Sequence, residues 1–187
     1  MPSAAAVSRD GPEWKDAKSR VALLNEILIS KNDNDPRLDT ELRKLSPATK
    51  TLLKERYTAI AAEKRNERGT VVFLMGRELE TAEDWSFLTQ VVTDQPCLSL
   101  SDCTKADPVD AHGEEKHLEG ADELTRAYPE VMSVASVQRF LENHPKLTPA
   151  QASYAREFLE KAQASPIERI SSKAKEVAAK YAGSLAP

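Results

Sequence analysis

The feature that most restricts what this chain can fold into is a repeated way of opening helices. A residue with a short oxygen-bearing side chain is followed at once by proline at Asp35-Pro36, Ser46-Pro47, Thr148-Pro149 and Ser165-Pro166. The side-chain oxygen accepts from an N–H of the first helical turn that has no partner within the helix, and proline at the first position gives up an N–H that would have been left over. Gln151 after Thr148 and Glu168 after Ser165 complete capping boxes, and Thr81 with Asp84 follows the same logic without proline. Helix starts are thus written locally along most of the chain.

Between the starts, apolar residues recur at helical spacing. Trp14, Ala17, Val21, Leu24 and Leu28, widened by Leu23 and Ile27, make one stripe, and Leu52, Leu53, Tyr57, Ile60 and Ala61 make another. Trp85, Leu88 and Val92 follow. Leu124, Tyr128, Val131, Val134, Val137 and Leu141 read as one continuous stripe; Ala155, Phe158, Leu159 and Ala162 then precede Ile167, Ile170, Ala174, Val177 and Tyr181. Val71 to Met75 with Leu79 covers most of a helix circumference, which predicts an interior helix at the centre of the core. A strand is the competing reading of so short an apolar run, and Asn66 as a cap with Glu78 beyond it favours the helix.

A chain of 187 residues is long enough to bury a real core in one domain or two small ones. With 26 Lys plus Arg against 30 Asp plus Glu, its formal charge of -4 supplies no global field for a polyanion, so nucleic acid is not an expected partner. The longest apolar run, Val71 to Met75, is far shorter than the ~18 to 20 residues of a membrane span. Residues 1–11 are expected to be disordered. Met1 to Arg9 lacks the basic flank and apolar centre of a signal peptide, whereas Ala4, Ala5, Ala6, Ser8, Asp10 and Gly11 resemble a linker left after removal of a signal or anchor.

Short links between Leu45 and Pro47, Leu79 and Thr81, Asn143 and Thr148, and Ala164 and Pro166 predict antiparallel helical hairpins. The expected organisation is an N-terminal helical block over 12–95, an irregular acidic loop over 96–120 and a C-terminal helical block over 121–183. In the loop, Pro96, Pro108, Gly113 and Gly120 end the periodicity; the stretch from Asp102 to Glu123 carries eight acidic residues against Lys105 and Lys116. With Asp-Pro and Ser-Pro helix starts and the Ala-rich face of Ala174 to Ala179, the segments Asp35 to Val92 and Leu124 to Tyr181 resemble HEAT-like helical repeats. Pro129 and the break after Pro96 depart from a regular period. The resemblance implies an all-α fold of antiparallel hairpins stacked as a short right-handed array that binds other macromolecules along a helical surface, and it carries over no catalytic residue.

Candidate chemistry centres on the loop. Cys97, Cys103, His112 and His117 read as C-x5-C-x8-H-x4-H, offering zinc the right atom types at spacings wider between the cysteines, and shorter centrally, than zinc sites use. The two cysteines alone suit either a disulfide in an oxidising compartment or two free thiols in a reducing one. Leu98 and Leu100, alternating with Ser99 and Ser101, are expected to fold back onto the helical core. Asp33, Asp35 and Asp39 alternate like calcium ligands, but the EF-hand template then meets Leu38 where it needs Gly and Lys44 where it needs Glu, so a helix start is the better reading. His144 lies in a hairpin turn, and no nucleophile elbow, P-loop or dinucleotide fingerprint occurs.

Charge clusters twice: Glu41 to Arg68 holds eight basic and four acidic residues, and Lys161 to Lys180 five and two. Either face could meet an acidic partner, including the chain's own loop between Asp102 and Glu123, or be a solvated helix face. The expectation is a non-enzymatic protein–protein interaction or scaffold module with no cofactor and no metal site. It would present Arg56, Lys64, Arg65 and Arg68 to an unknown protein partner, with Trp14 and Trp85 as anchors if they are exposed. The alternatives are a small metal-dependent or hydrolytic enzyme using the loop 97–117, and a periplasmic inhibitor or helper protein, the location leaning to exported over cytoplasmic.

Overall fold

The computed structural model describes residues 9–32, 34–106 and 119–186, the stretch 119–122 in backbone only. Every regular element among them is helical: α1 Pro12–Ser30, a 3-10 turn Pro36–Leu38, α2 Pro47–Ala59, α3 Arg65–Met75, α4 Ala82–Thr93, α5 Glu119–Arg126, α6 Tyr128–Asn143, α7 Pro149–Gln163 and α8 Glu168–Lys180. The all-α class expected from the helix starts is the class found.

The starts themselves behave unequally. Thr148 with Gln151 and Thr81 with Asp84 form both halves of their capping boxes, and the Ser46 hydroxyl accepts from Thr49 N–H at 3.2 Å to open α2. Asp35-Pro36 opens only the 3-10 turn, its carboxylate accepting from Arg37 N–H at 2.9 Å and pairing with the Arg37 guanidinium at 2.8 Å. Ser165-Pro166 does not cap α8. The Ser165 hydroxyl is taken by Ile167 N–H at 3.3 Å, and the helix begins at Glu168 behind an uncapped Ile167. The stripe from Leu124 to Leu141 is broken at Ala127 into α5 and α6. Pro129 explains the break, since in an unbroken helix its ring would meet the carbonyl of Thr125 and it has no N–H to donate there.

By contacts the chain divides at Arg56/Tyr57, inside α2 and not in the stretch 96–120. In the first unit α1 buries Ala17, Leu24, Ile27 and Leu28, leaving Trp14 half-buried. Arg20 bonds Asp16 at 2.8 Å and donates to the Glu41 carbonyl, and Glu55 of α2 pairs with Arg9 at 2.9 Å. Helix α1 ends on Lys31 in the left-handed region, φ 54°, its N–H closing on the Leu28 carbonyl.

In the second unit the most extensive pairings are α3 with α6, α7 with α8, and α4 with α7 and α6. The short link between α7 and α8 therefore joins packed neighbours, as such links predict. Helix α3, read from the sequence into an N-terminal block, instead finds its main partner some 60 residues on. Val71, Val72, Leu74 and Met75 are all at most 1% exposed, as their spread around the helix predicts, and only remote segments can cover so wide an apolar circumference. Trp85 on α4 meets the Phe140 ring edge-on at 5.0 Å and lies 6.3 Å from Tyr154, fixing α4 against α6 and α7.

The α3–α6 seam has a cause at single residues. A Cβ on Gly69 would overlap the Tyr128 ring, and one on Gly76 would overlap the hydroxyl and Cβ of Ser136. Seven residues is two helical turns, so both glycines lie on one face. Across from them Ser133 and Ser136 are wholly buried, their hydroxyls donating to the Glu130 and Met132 carbonyls of their own helix at 2.7 and 2.8 Å. The contact numbers rise together, 69 with 128 and 76 with 136, so α3 and α6 run in the same direction. Because the Ser136 Cβ cannot rotate away, Gly76→Ala is expected to lower the unfolding free energy by about 1 to 3 kcal/mol, the usual cost of overpacking. Urea denaturation of the two proteins would read this as a lower midpoint at unchanged slope.

Candidate functional site

Arg65 opens α3, and Glu130 lies in the first turn of α6, where the helix dipole favours a carboxylate. The Arg65 Nη2 stands 2.5 and 2.6 Å from the two Glu130 oxygens, and Nε donates to the Arg126 carbonyl that ends α5. Both side chains are 2% exposed. Burial pushes the Glu130 carboxyl above its ordinary range, while the guanidinium beside it pulls the other way. Two ions this deep are tolerable only because each answers the other.

On the outer side of this pair is a cleft of about 310 Å³, lined by Arg65, Arg68, Tyr57, Asp94, Cys103 and Thr104 among others. Arg68 is tied down by Nε and Nη2, both donating to the Ile60 carbonyl at 3.0 and 2.9 Å, and its guanidinium lies 4.8 Å over the Tyr57 ring. The Tyr57 hydroxyl donates to Asp94 at 3.1 Å. Burial, then the Asp94 charge, push the Tyr57 hydroxyl well above the ordinary tyrosine range.

The cleft is bounded by a stapled loop. Cys97 and Cys103 are joined by a disulfide across 4.2 Å between Cα atoms. Leu98 N–H donates to the Cys103 carbonyl at 3.0 Å, and Arg126 Nη1 donates to the Leu98 carbonyl at 2.7 Å. Cys103 N–H donates to Glu63 at 3.2 Å; Glu63's own amide, and after it that of Cys103, holds the carboxyl below its ordinary range. Inside the ring Ser99 is 1% exposed and exchanges a hydroxyl bond with Ser101 at 2.7 Å. Leu98 and Leu100 are each 42% exposed. Ser99 therefore faces in, where the hydroxyl and amide of the exposed Ser101 are its partners, while Leu98 and Leu100, expected to fold onto the core, face out.

Among the residues singled out from the sequence, Arg65, Arg68 and Cys103 are brought together. The four basic residues of the expected face are each bonded within the chain. Arg65 is a buried structural ion and cannot meet a partner. Arg56 belongs to the first unit, where Nε donates to Asn25 at 2.7 Å, and Lys64 pairs with Glu67 at 3.1 Å on the surface. Trp85 is 2% exposed and is core, so it cannot serve as an anchor.

The zinc reading loses its thiolates, because both sulfurs are in the disulfide. His112 and His117 lie outside the described residues, as does Asp33 of the calcium reading. No grouping of three or more His, Cys, Asp or Glu that could hold a metal occurs among the described residues. His144 stacks on Phe140 at 4.1 Å with its ring nitrogen 2.8 Å from that residue's carbonyl, a capping arrangement at the end of α6. No described helix is long and apolar enough to cross a membrane.

Tyr57, Asp94 and Glu130 were not singled out as site residues. Pro129-Glu130 is a helix-start pattern that could have divided α5 from α6; Asp94 follows α4 with no pattern that points to Tyr57.

Arg65→Met should cost about 3 to 5 kcal/mol by leaving Glu130 buried without its counter-charge, and Arg65→Met/Glu130→Leu should recover most of that loss. In the single variant Glu130 is raised further, and a carboxyl raised in the folded state loses stability as pH rises, so the deficit should be smallest in acid. Tyr57 gives a second signature. A hydroxyl raised in the folded state contributes stability that is present below the ordinary tyrosine value of about 10 and is lost above it. Of the 4 tyrosines, Tyr57 should ionise only as the protein unfolds, and ultraviolet titration of Tyr57→Phe should lack that late step.

No protein-family model matches the chain, and neither the curated proteins nor the solved structures yield a match.

Proposed function

We propose that the chain is a non-enzymatic protein–protein interaction module, a HEAT-like helical framework that presents the loop 97–103 to a protein partner. The observation that carries this reading is the pair Leu98 and Leu100, held exposed in a ring closed by a disulfide and pinned by Glu63 and Arg126. At 42% exposure each leucine forfeits part of the roughly 1.5 to 3 kcal/mol that its full burial would supply. A rigid ring also loses little freedom when it docks, so more of the contact energy appears as affinity. The partner would offer an apolar pocket for the two leucines. The basic residues near the loop are bonded within the chain and act as scaffolding for it.

The disulfide also favours one form of this reading over the others. Stable disulfides belong to oxidising compartments, which suits an exported inhibitor or helper protein in which the stapled loop is the contact.

The test is cross-linking of the full chain in extract from its own source, with quantitative mass spectrometry of what is captured. A protein held by the wild type should be lost with Leu98→Asp/Leu100→Asp and after reduction of the disulfide. It should be kept with Ile29→Asp, which alters an exposed aliphatic residue of the first unit. If every captured protein survives the double substitution, or if nothing is held in stoichiometric amount, the reading fails.

A further inference from the structure

A second surface carries chemistry that the stapled loop does not use. Between α5, α6 and α8 runs a groove of about 340 Å³ whose walls are Leu124, Val131, Val134, Ala135 and Ile170. Val134 and Ile170 are buried and form its floor, while Leu124, Val131 and Ala135 are half-buried and form its sides. Gln138, Arg169 and Lys173 stand at its edge. Arg169 is exposed and makes no hydrogen bond or ion pair among the described residues. Lys173 reaches Glu176 at 2.8 Å, both partners being more than 40% exposed. Such a pair is worth little and can be redirected.

The spacing of these residues decides what fits. On α6, positions 131, 134, 135 and 138 mark the groove over two helical turns, about 10 Å. That length and volume admit about three aliphatic side chains placed at i, i+3 or i+4, and i+7 of a helix. On α8, Arg169 and Lys173 are four residues apart, so their charges are offered one turn apart on the same side. A fatty acid has one carboxylate and would answer one of them. A helix with two carboxylates one turn apart answers both while its aliphatic face enters the groove. The chain as a whole has formal charge -4, so this local cationic edge, not a global field, would select the partner.

We propose that the groove between α5, α6 and α8 is a docking site for an acidic amphipathic helix of a partner protein, with Arg169 and Lys173 reading its carboxylates. The site is separate from the stapled loop, and Leu98→Asp/Leu100→Asp should leave it intact.

The probe is a display library of helical peptides with aliphatic residues fixed at the three anchor positions and the flanking positions randomised over Asp, Glu, Lys, Arg and Ser. It is panned on the full, oxidised chain. The expected winners carry Asp or Glu one turn apart. A synthesised winner should bind the wild type and lose at least about tenfold in affinity to Ala135→Arg, which fills the groove. Arg169→Glu/Lys173→Glu, two changes outside the core, should reverse the preference, binding the peptide in which Lys replaces the acids. Winners that are neutral or basic, or whose affinity ignores both variants, overturn the proposal. So does laurate displacing the peptide mole for mole with equal affinity for wild type and the charge-reversed variant, or a dimer in sedimentation that Ala135→Arg dissociates.

Discussion

The Arg65–Glu130 pair is the contact on which the arrangement of the larger unit turns, because it joins the first residue of α3 to the first turn of α6 where neither ion has water to fall back on. The same guanidinium takes the carbonyl that ends α5, so one side chain fixes the start of two helices and the end of a third. Burial alone would favour apolar residues of the same size at these positions. What an ion pair adds is register: the two groups meet only when α3 and α6 are aligned as they are, and a shift by one turn would bury two unanswered charges. The glycine and serine seam along the rest of α3 and α6 then permits the backbones to close on that alignment.

The stapled loop inherits its position from the same place. Glu63, two residues before Arg65, receives the Cys103 amide, and Arg126, whose carbonyl Arg65 binds, grips the Leu98 carbonyl from the other side. The loop is thus held covalently within itself and electrostatically to the ends of α3 and α5. A disulfide closing so small a ring contributes about 2 kcal/mol in the chain-entropy account, and its larger effect here is conformational. It keeps Ser99 turned in and Leu98 and Leu100 turned out.

Much of this framework was legible from residue order. The helical class, the capping boxes at Thr81 and Thr148 and the interior character of Val71 to Met75 follow from local chemistry, and local chemistry is what a sequence displays most directly. Ser165-Pro166 misleads because the Ser165 hydroxyl is claimed by Ile167 before the helix begins, an outcome decided by a difference of one or two residues in the turn. The partnership of α3 with α6 was not legible, since nothing in the spacing of apolar residues names the surface that will cover them. For the site the reverse holds. The cysteines were visible as a pair, but Arg65 was read as a surface cation. A charged side chain looks the same in sequence whether it faces water or a carboxylate 65 residues away.

The parallel course of α3 and α6 has a consequence for how the protein is made. Helix α3 leaves the ribosome long before the residues that cover it, because Tyr128, Glu130 and Ser136 are translated some 60 residues later. At about 5 to 20 residues per second, α3 waits several seconds with its apolar circumference uncovered. During that interval the only contacts available to it are local or improper, and contacts this distant are also slow to form because a long loop must close first. The packing of α3 can therefore be completed only once α6 has been made.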